Sequence, residues 1–144
     1  MVSGPVKNPS ILIVEDNGLI AMMLKEFLER FGYRIPAPVA SGEDAIEYIR
    51  NFSMPDLILM DITLDGRIDG IETTRQIRKT SDVPVVFLSA HREDSRLIRE
   101  GTITGFCYIN KPFDLDDVLH TVEKMLHSTK EFTVRDHRPK VLMC

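Results

Sequence analysis

The chain has 144 residues, 43% of them hydrophobic and 28% charged, with 8 glycines, 8 prolines and a formal net charge of -4. That length and balance fit one α/β domain with a real core. They leave no overall basic field to attract nucleic acid or an anionic membrane, and no run approaches the ~18 consecutive apolar residues of a membrane span. Residues 1–10 are polar and contain prolines, unlike a signal peptide or an anchor, and 1–9 are expected to form a disordered tail. The two cysteines, Cys107 and Cys144, are too few for a disulfide framework, so a reduced, cytoplasmic protein is expected.

Residues 10–15 (Ser-Ile-Leu-Ile-Val-Glu) form a short apolar run that reads as a buried strand ending in Glu15-Asp16-Asn17. Ile20, Met23, Leu24, Phe27, Leu28 and Phe31 then recur at three- and four-residue steps, predicting a helix that stops at Gly32. Residues 33–40 contain Pro36 and Pro38, which argues for an edge strand or an irregular extended piece. Ser41, with Asp44 in the first turn, opens a second helix carrying Ala45, Ile46 and Ile49.

Residues 55–62 (Pro-Asp-Leu-Ile-Leu-Met-Asp-Ile) are an almost uninterrupted apolar run that ends in Asp61, as in a strand covered on both faces. A polar loop rich in Gly and Asp follows, and Ile71, Thr74 and Ile77 mark a third helix. Residues 83–90 are another buried strand, and 93–100 a short helix with a single strong apolar pair, Leu97 and Ile98. Residues 105–110 form the last strand, followed by Lys111-Pro112-Phe113. Asp114 then caps a helix with the stripe Leu115, Val118, Leu119, Val122 and Leu126. The apolar period stops at Ser128, so 129–144 reads as a tail or truncated linker.

Alternating strands and helices with short connections imply a parallel sheet with helices on both faces. In such sheets chemistry gathers outside the carboxyl ends of the strands, which here carry Glu15, Asp16, Asp61, Ser89 and Lys111. Each alone has an ordinary reading, as a helix cap, a strand terminus or a loop charge. Together they place three carboxylates, a hydroxyl and an ammonium at one edge. Crowded carboxylates call for a cation, and Mg²⁺ suits oxygen donors while leaving room for phosphate oxygens. The set fits phosphoryl transfer to a carboxylate, with Asp61 as the nucleophile.

With Glu15-Asp16, Asp61, Asp69-Gly70, Ser89-Ala90 and Lys111-Pro112-Phe113 in this order, the chain resembles the receiver domain of two-component response regulators over residues 10–128. The resemblance implies a flavodoxin-like (βα)5 domain with a five-stranded parallel sheet of order 2-1-3-4-5. It implies a non-enzymatic signalling switch in which Asp61 is the phosphoacceptor and a sensor histidine kinase or a small phosphodonor the source. It assigns Mg²⁺ (or Mn²⁺) to Glu15, Asp16, Asp61 and the backbone carbonyl of Thr63. Lys111 would hold the phosphoryl group, with the Lys111–Pro112 peptide bond cis, while Ser89 and Tyr108 form the switch. The output face would be the fourth helix, fifth strand and fifth helix, including residues 92–99. That face would meet a downstream protein or a second copy, with no direct nucleic-acid or membrane contact.

One departure stands out. The loop 62–68 has no proline and is one residue longer than the family pattern, which reshapes the rim where Thr63 and His91 lie. Rival readings are an interaction module that never uses Asp61, or a receiver fragment of a larger hybrid kinase. An Asp-nucleophile phosphatase would want a second Asp where Thr63 stands. A flavodoxin-like cofactor binder would want a phosphate cradle where Glu15-Asp16 would repel one.

Overall fold

The computed structural model describes residues 8–90, 103–135 and 142–143. Four apolar runs form strands β1 (Ile11–Val14), β2 (Leu57–Asp61), β3 (Val85–Ser89) and β4 (Phe106–Asn110). They pair in parallel and in chain order, with Ile11 opposite Leu57, Asp61 opposite Leu88 and Ser89 opposite Asn110. A two-residue strand β5 (Leu142–Met143) lies beside β4.

The expected second strand over 33–40 is not a regular strand. It follows the free side of β1 through isolated parallel bridges, Ser10 to Arg34 and Val14 to Val39. The backbone N–H of Ile11 donates to the Arg34 carbonyl at 2.9 Å and that of Val39 to the Ile13 carbonyl at 3.0 Å. Between these contacts Pro36 and Pro38 have no N–H to donate, so the ladder cannot continue. Among the described residues the ordered strands of the sheet are thus β1 to β4, with the two-residue β5 on the edge beyond β4.

Alternating strand residues feed two cores. Ile11, Ile13, Leu57, Leu59, Val86 and Leu88 pack with Leu24 and Leu28 of helix α1 (Gly18–Glu29) and with Val118 and Val122 of helix α4 (Leu115–Arg135). Leu12, Val14, Ile58, Met60, Val85 and Phe87 pack with Ala45 of helix α2 (Gly42–Asn51) and with Ile71 and Ile77 of helix α3 (Gly70–Ile77). Among the described residues two helices cover each face, as parallel strands require. The expected stripe of α1 is narrower than its spacing predicts, because Met23 and Phe31 are 42% and 52% exposed. The last helix runs beyond Leu126, where its apolar stripe ends, to Arg135. The expected helix over 93–100 lies outside the described residues. Cys107 is buried in β4, and Cys144 lies outside the described residues.

The amino edge of the sheet is fastened by polar clips. Ser10 and Asp56, just before β1 and β2, exchange bonds: Ser10 N–H to Asp56 Oδ2 at 2.8 Å and Asp56 N–H to the Ser10 carbonyl at 2.9 Å. The Arg78 guanidinium donates to the carbonyls of Val83, Thr104 and Gly105, just before β3 and β4. Among the described residues no helix is long and apolar enough to cross a membrane.

Candidate functional site

The carboxyl edge has the opposite character. Because the four strands run in one direction, their last residues bring Glu15, Asp61, Ser89 and Lys111 to one end of the sheet. Glu15 directly follows β1 and is 2% exposed; Asp61 closes β2 and is 3% exposed; Ser89 closes β3 and is 1% exposed. Carboxylates are rarely this buried without a partner. Here the partner is Lys111, whose Nζ lies 3.1 Å from Glu15 Oε1 and 3.2 Å from Asp61 Oδ2.

Lys111 owes its position to the backbone. Its N–H donates to the Ser89 carbonyl at 2.6 Å, and the Lys111–Pro112 peptide bond is cis, as the resemblance implied. The remaining carboxylate oxygens meet main-chain donors. Asn17 N–H donates to Glu15 Oε2 at 3.0 Å, and Thr63 N–H to Asp61 Oδ1 at 3.3 Å.

Of the stretch Glu15-Asp16-Asn17, which could cap α1, it is Asn17 that does so. Its side chain takes that task, accepting from the N–H groups of Leu19 and Ile20 at 3.0 and 3.1 Å. Glu15 and Asp16 are left for the pocket. With Asp61 they offer three carboxylate oxygens within 4.8 Å of one another, Asp16 being the least buried.

Burial pushes the Glu15 carboxyl up to about 7; the Asn17 N–H and Lys111 pull it back, while the neighbouring Asp61 adds to the rise. Burial works against the Lys111 ammonium, but Glu15 and Asp61 outweigh it and raise its pKa. The pocket is short of positive charge even with its lysine. Hard oxygen donors at this spacing fit a small divalent cation, whose ligands lie at about 2.0–2.1 Å for Mg²⁺. Glu15, Asp16 and Asp61 are the side chains that would hold it.

Gly70 explains the Asp69-Gly70 pair. Its N–H donates to the Ile62 carbonyl at 2.8 Å, and a β-carbon there would overlap the Asp61 carbonyl oxygen. Asp69 caps α3 by accepting from Glu72 N–H at 2.8 Å. Thr63 is exposed on the loop two residues beyond Asp61. Tyr108 is not part of the charged cluster. It lies half-buried within β4, opposite Phe87 and packed against the α2/α3 core. His91 and residues 92–99 of the expected output face lie outside the described residues.

One residue that positions the loop escaped the reading from sequence, Glu43. Its carboxylate binds the loop after β2 across a gap of 24 positions, and no local pattern signals such a contact.

Comparison with known proteins agrees with this geometry. Residues 11–123 match the model of the response regulator receiver domain. The chain is 32% identical over 123 residues to the transcriptional regulatory protein PdtaR of Mycobacterium tuberculosis, covering 85% of this chain but only 59% of PdtaR. It is 33% identical to the chemotaxis protein CheY of Bacillus subtilis, covering 81% of this chain and 97% of CheY. Among solved structures it is similar to the N-terminal domain of a response regulator/sensory box/GGDEF protein from Carboxydothermus hydrogenoformans. That similarity has 34% identity and a TM-score of 0.77, covering 86% of this chain and 98% of that one. The chain spans less than two thirds of PdtaR and nearly all of CheY, so relatives of both lengths share the segment. This protein belongs to the response regulator receiver domain family of two-component signal transduction.

Proposed function

We propose that the chain is a Mg²⁺-dependent phosphoryl-accepting switch with Asp61 as acceptor. The observation that carries this reading is the shared Lys111 ammonium, within 3.2 Å of both buried carboxylates. An Asp61 oxygen attacks the phosphorus of a phosphohistidine on a sensor histidine kinase, or of a small acyl phosphate. The P–O(Asp61) bond forms as the P–N or P–O bond to the donor breaks, and the leaving imidazole or carboxylate takes the electron pair. Lys111 exchanges its contact with Asp61 for one with a phosphoryl oxygen, and Ser89 donates to another. Bound at Glu15, Asp16, Asp61 and the Thr63 carbonyl, Mg²⁺ would neutralise charge on the transferring group.

The new charge then biases a two-state equilibrium through Ser89 and Tyr108, altering the surface that meets a downstream protein or a second copy. In this reading residues 10–128 are the receiver, residues 33–40 fill the second-strand position of a 2-1-3-4-5 sheet, and the work is done in the cytoplasm. The net charge of -4 gives the receiver no basic field for nucleic acid.

Incubation with Mg²⁺ and acetyl phosphate, followed by intact mass, tests the assignment. One added phosphoryl group is expected in the wild type and none in Asp61→Asn. An adduct that persists in Asp61→Asn, or its absence from the wild type, sinks the reading.

A further inference from the structure

The loop 62–68 lacks the family's proline, yet it is not left loose. Its middle is docked on the amino end of α2. Asp65 forms a parallel bridge with Ser41, the residue that caps α2 through Asp44 N–H. Glu43, in the first turn of α2, accepts from the backbone N–H of Arg67 at 2.8 Å. That bond, with the backbone N–H of Glu43 itself and the Arg67 charge beside it, holds the Glu43 carboxyl below its ordinary range.

Two glycines make the approach possible. Gly66 has φ of +108°, and a β-carbon there would sit 2.7 Å from Glu43 Oε1. Gly42, next to Glu43, lies so near α3 and the loop that a β-carbon would strike Thr73 Oγ1 and the Ile68 side chain. A left-handed glycine followed by a donating amide, that of Arg67, gives a carboxylate a seat, and here the carboxylate is supplied by the chain itself.

We propose that Glu43 is a positioning residue for the phosphorylation site. It latches the loop by its Arg67 amide, doing by a long-range hydrogen bond what a proline does by stiffness. This rests on the reading of Asp61 given above. The loop begins directly at Asp61 and includes Thr63, whose main chain faces the same carboxylate. Holding residues 65–68 limits where Thr63 can present its carbonyl to the cation and how widely the rim opens to water. Glu43 touches neither phosphate nor metal and acts only through the loop.

The test compares the wild-type chain, Glu43→Gln and Glu43→Ala by three measurements. These are Arg67 amide hydrogen exchange by NMR, Mg²⁺ affinity by NMR titration, and the lifetime of the acetyl-phosphate adduct. Glu43→Ala is expected to speed Arg67 exchange, to weaken Mg²⁺ about threefold to tenfold, and to change adduct lifetime by at least about threefold. Glu43→Gln keeps an acceptor oxygen and is expected to stay within about twofold of wild type throughout. Unchanged Arg67 exchange or Mg²⁺ affinity in Glu43→Ala overturns the latch, and so does a Gln variant as impaired as Ala. A wild type that takes no phosphoryl group overturns the phosphoacceptor reading instead. In that case the exchange and Mg²⁺ comparisons still decide the latch.

Discussion

Gly70 lies directly against the main chain of Asp61, with no room for a β-carbon between its Cα and the Asp61 carbonyl oxygen. The helix that follows the site therefore starts in contact with the backbone of Asp61. Gly70→Ala must push α3 away from β2 or distort the strand end. We expect a loss of about 2–4 kcal/mol by urea unfolding, with weaker Mg²⁺ binding. Wild-type stability in this variant would refute the close packing.

The raised Glu15 carboxyl predicts an unusual pH dependence. Its folded value is about 7 against an ordinary 4.5, so the folded state holds the proton more tightly than the unfolded chain. Stability in the absence of metal is then greatest below about pH 4.5 as far as this group is concerned. It falls as pH rises through 7, by roughly 3 kcal/mol in total. Mg²⁺ should reverse the loss above pH 7, because it binds the deprotonated carboxylates of the folded state. Thermal unfolding from pH 5 to 8, with EDTA and with Mg²⁺, checks both halves. Glu15→Gln should flatten the EDTA profile.

Removing Lys111 isolates two buried carboxylates. In Lys111→Met the Glu15 carboxyl should rise further, since one of the groups lowering it is gone. Mg²⁺ binding should be largely retained, because the oxygen donors remain. Adduct formation with acetyl phosphate should fall by about 100-fold, typical of losing one charge-stabilising donor. Rates by intact mass against time distinguish this from a folding defect, which would lower the metal affinity too.

Arg78 supports the far end of the sheet through carbonyls of three residues. Arg78→Ala leaves those acceptors to water or unpaired and should cost about 2–4 kcal/mol. Arg78→Lys should rescue little of this, because a point ammonium cannot reproduce the planar fork. Urea midpoints measure the cost. The extent of phosphorylation in folded protein at low temperature should stay near wild type.

Asn17→Ala removes the cap of α1 and should cost about 1 kcal/mol, with Asn17→Asp largely neutral. The backbone bond from residue 17 to Glu15 survives both changes, so Mg²⁺ affinity should change little in the alanine variant.

Much of this architecture is legible in the chain because its strands are buried on both faces. Runs such as Ile11 to Val14 and Val85 to Ser89 then need no alternation to be recognised. The edge is harder. Residues 33–40 carry the right position but two prolines, and a segment that pairs at only two points is neither strand nor loop by composition. Met23 and Phe31 keep helical spacing with Leu24 and Leu28, but they sit at the margin of a stripe whose width tertiary packing decides. Within the site, residue types at strand ends announce Glu15, Asp61, Ser89 and Lys111. The Glu43 contact depends on how the loop folds back on α2, which is a property of three-dimensional closure.

The two edges of the sheet divide the labour of the domain. At the amino edge, Ser10 with Asp56 and Arg78 with its carbonyls lace the strands together in pairs. At the carboxyl edge, buried charges push against one another and are held by a single lysine. A bundle tied at one end and crowded with charge at the other would, on the proposed switch, pass a change in charge to the loops it carries while its strands stay paired. Substitutions that tune signalling and substitutions that tune folding should therefore fall on opposite ends of the molecule and combine almost independently.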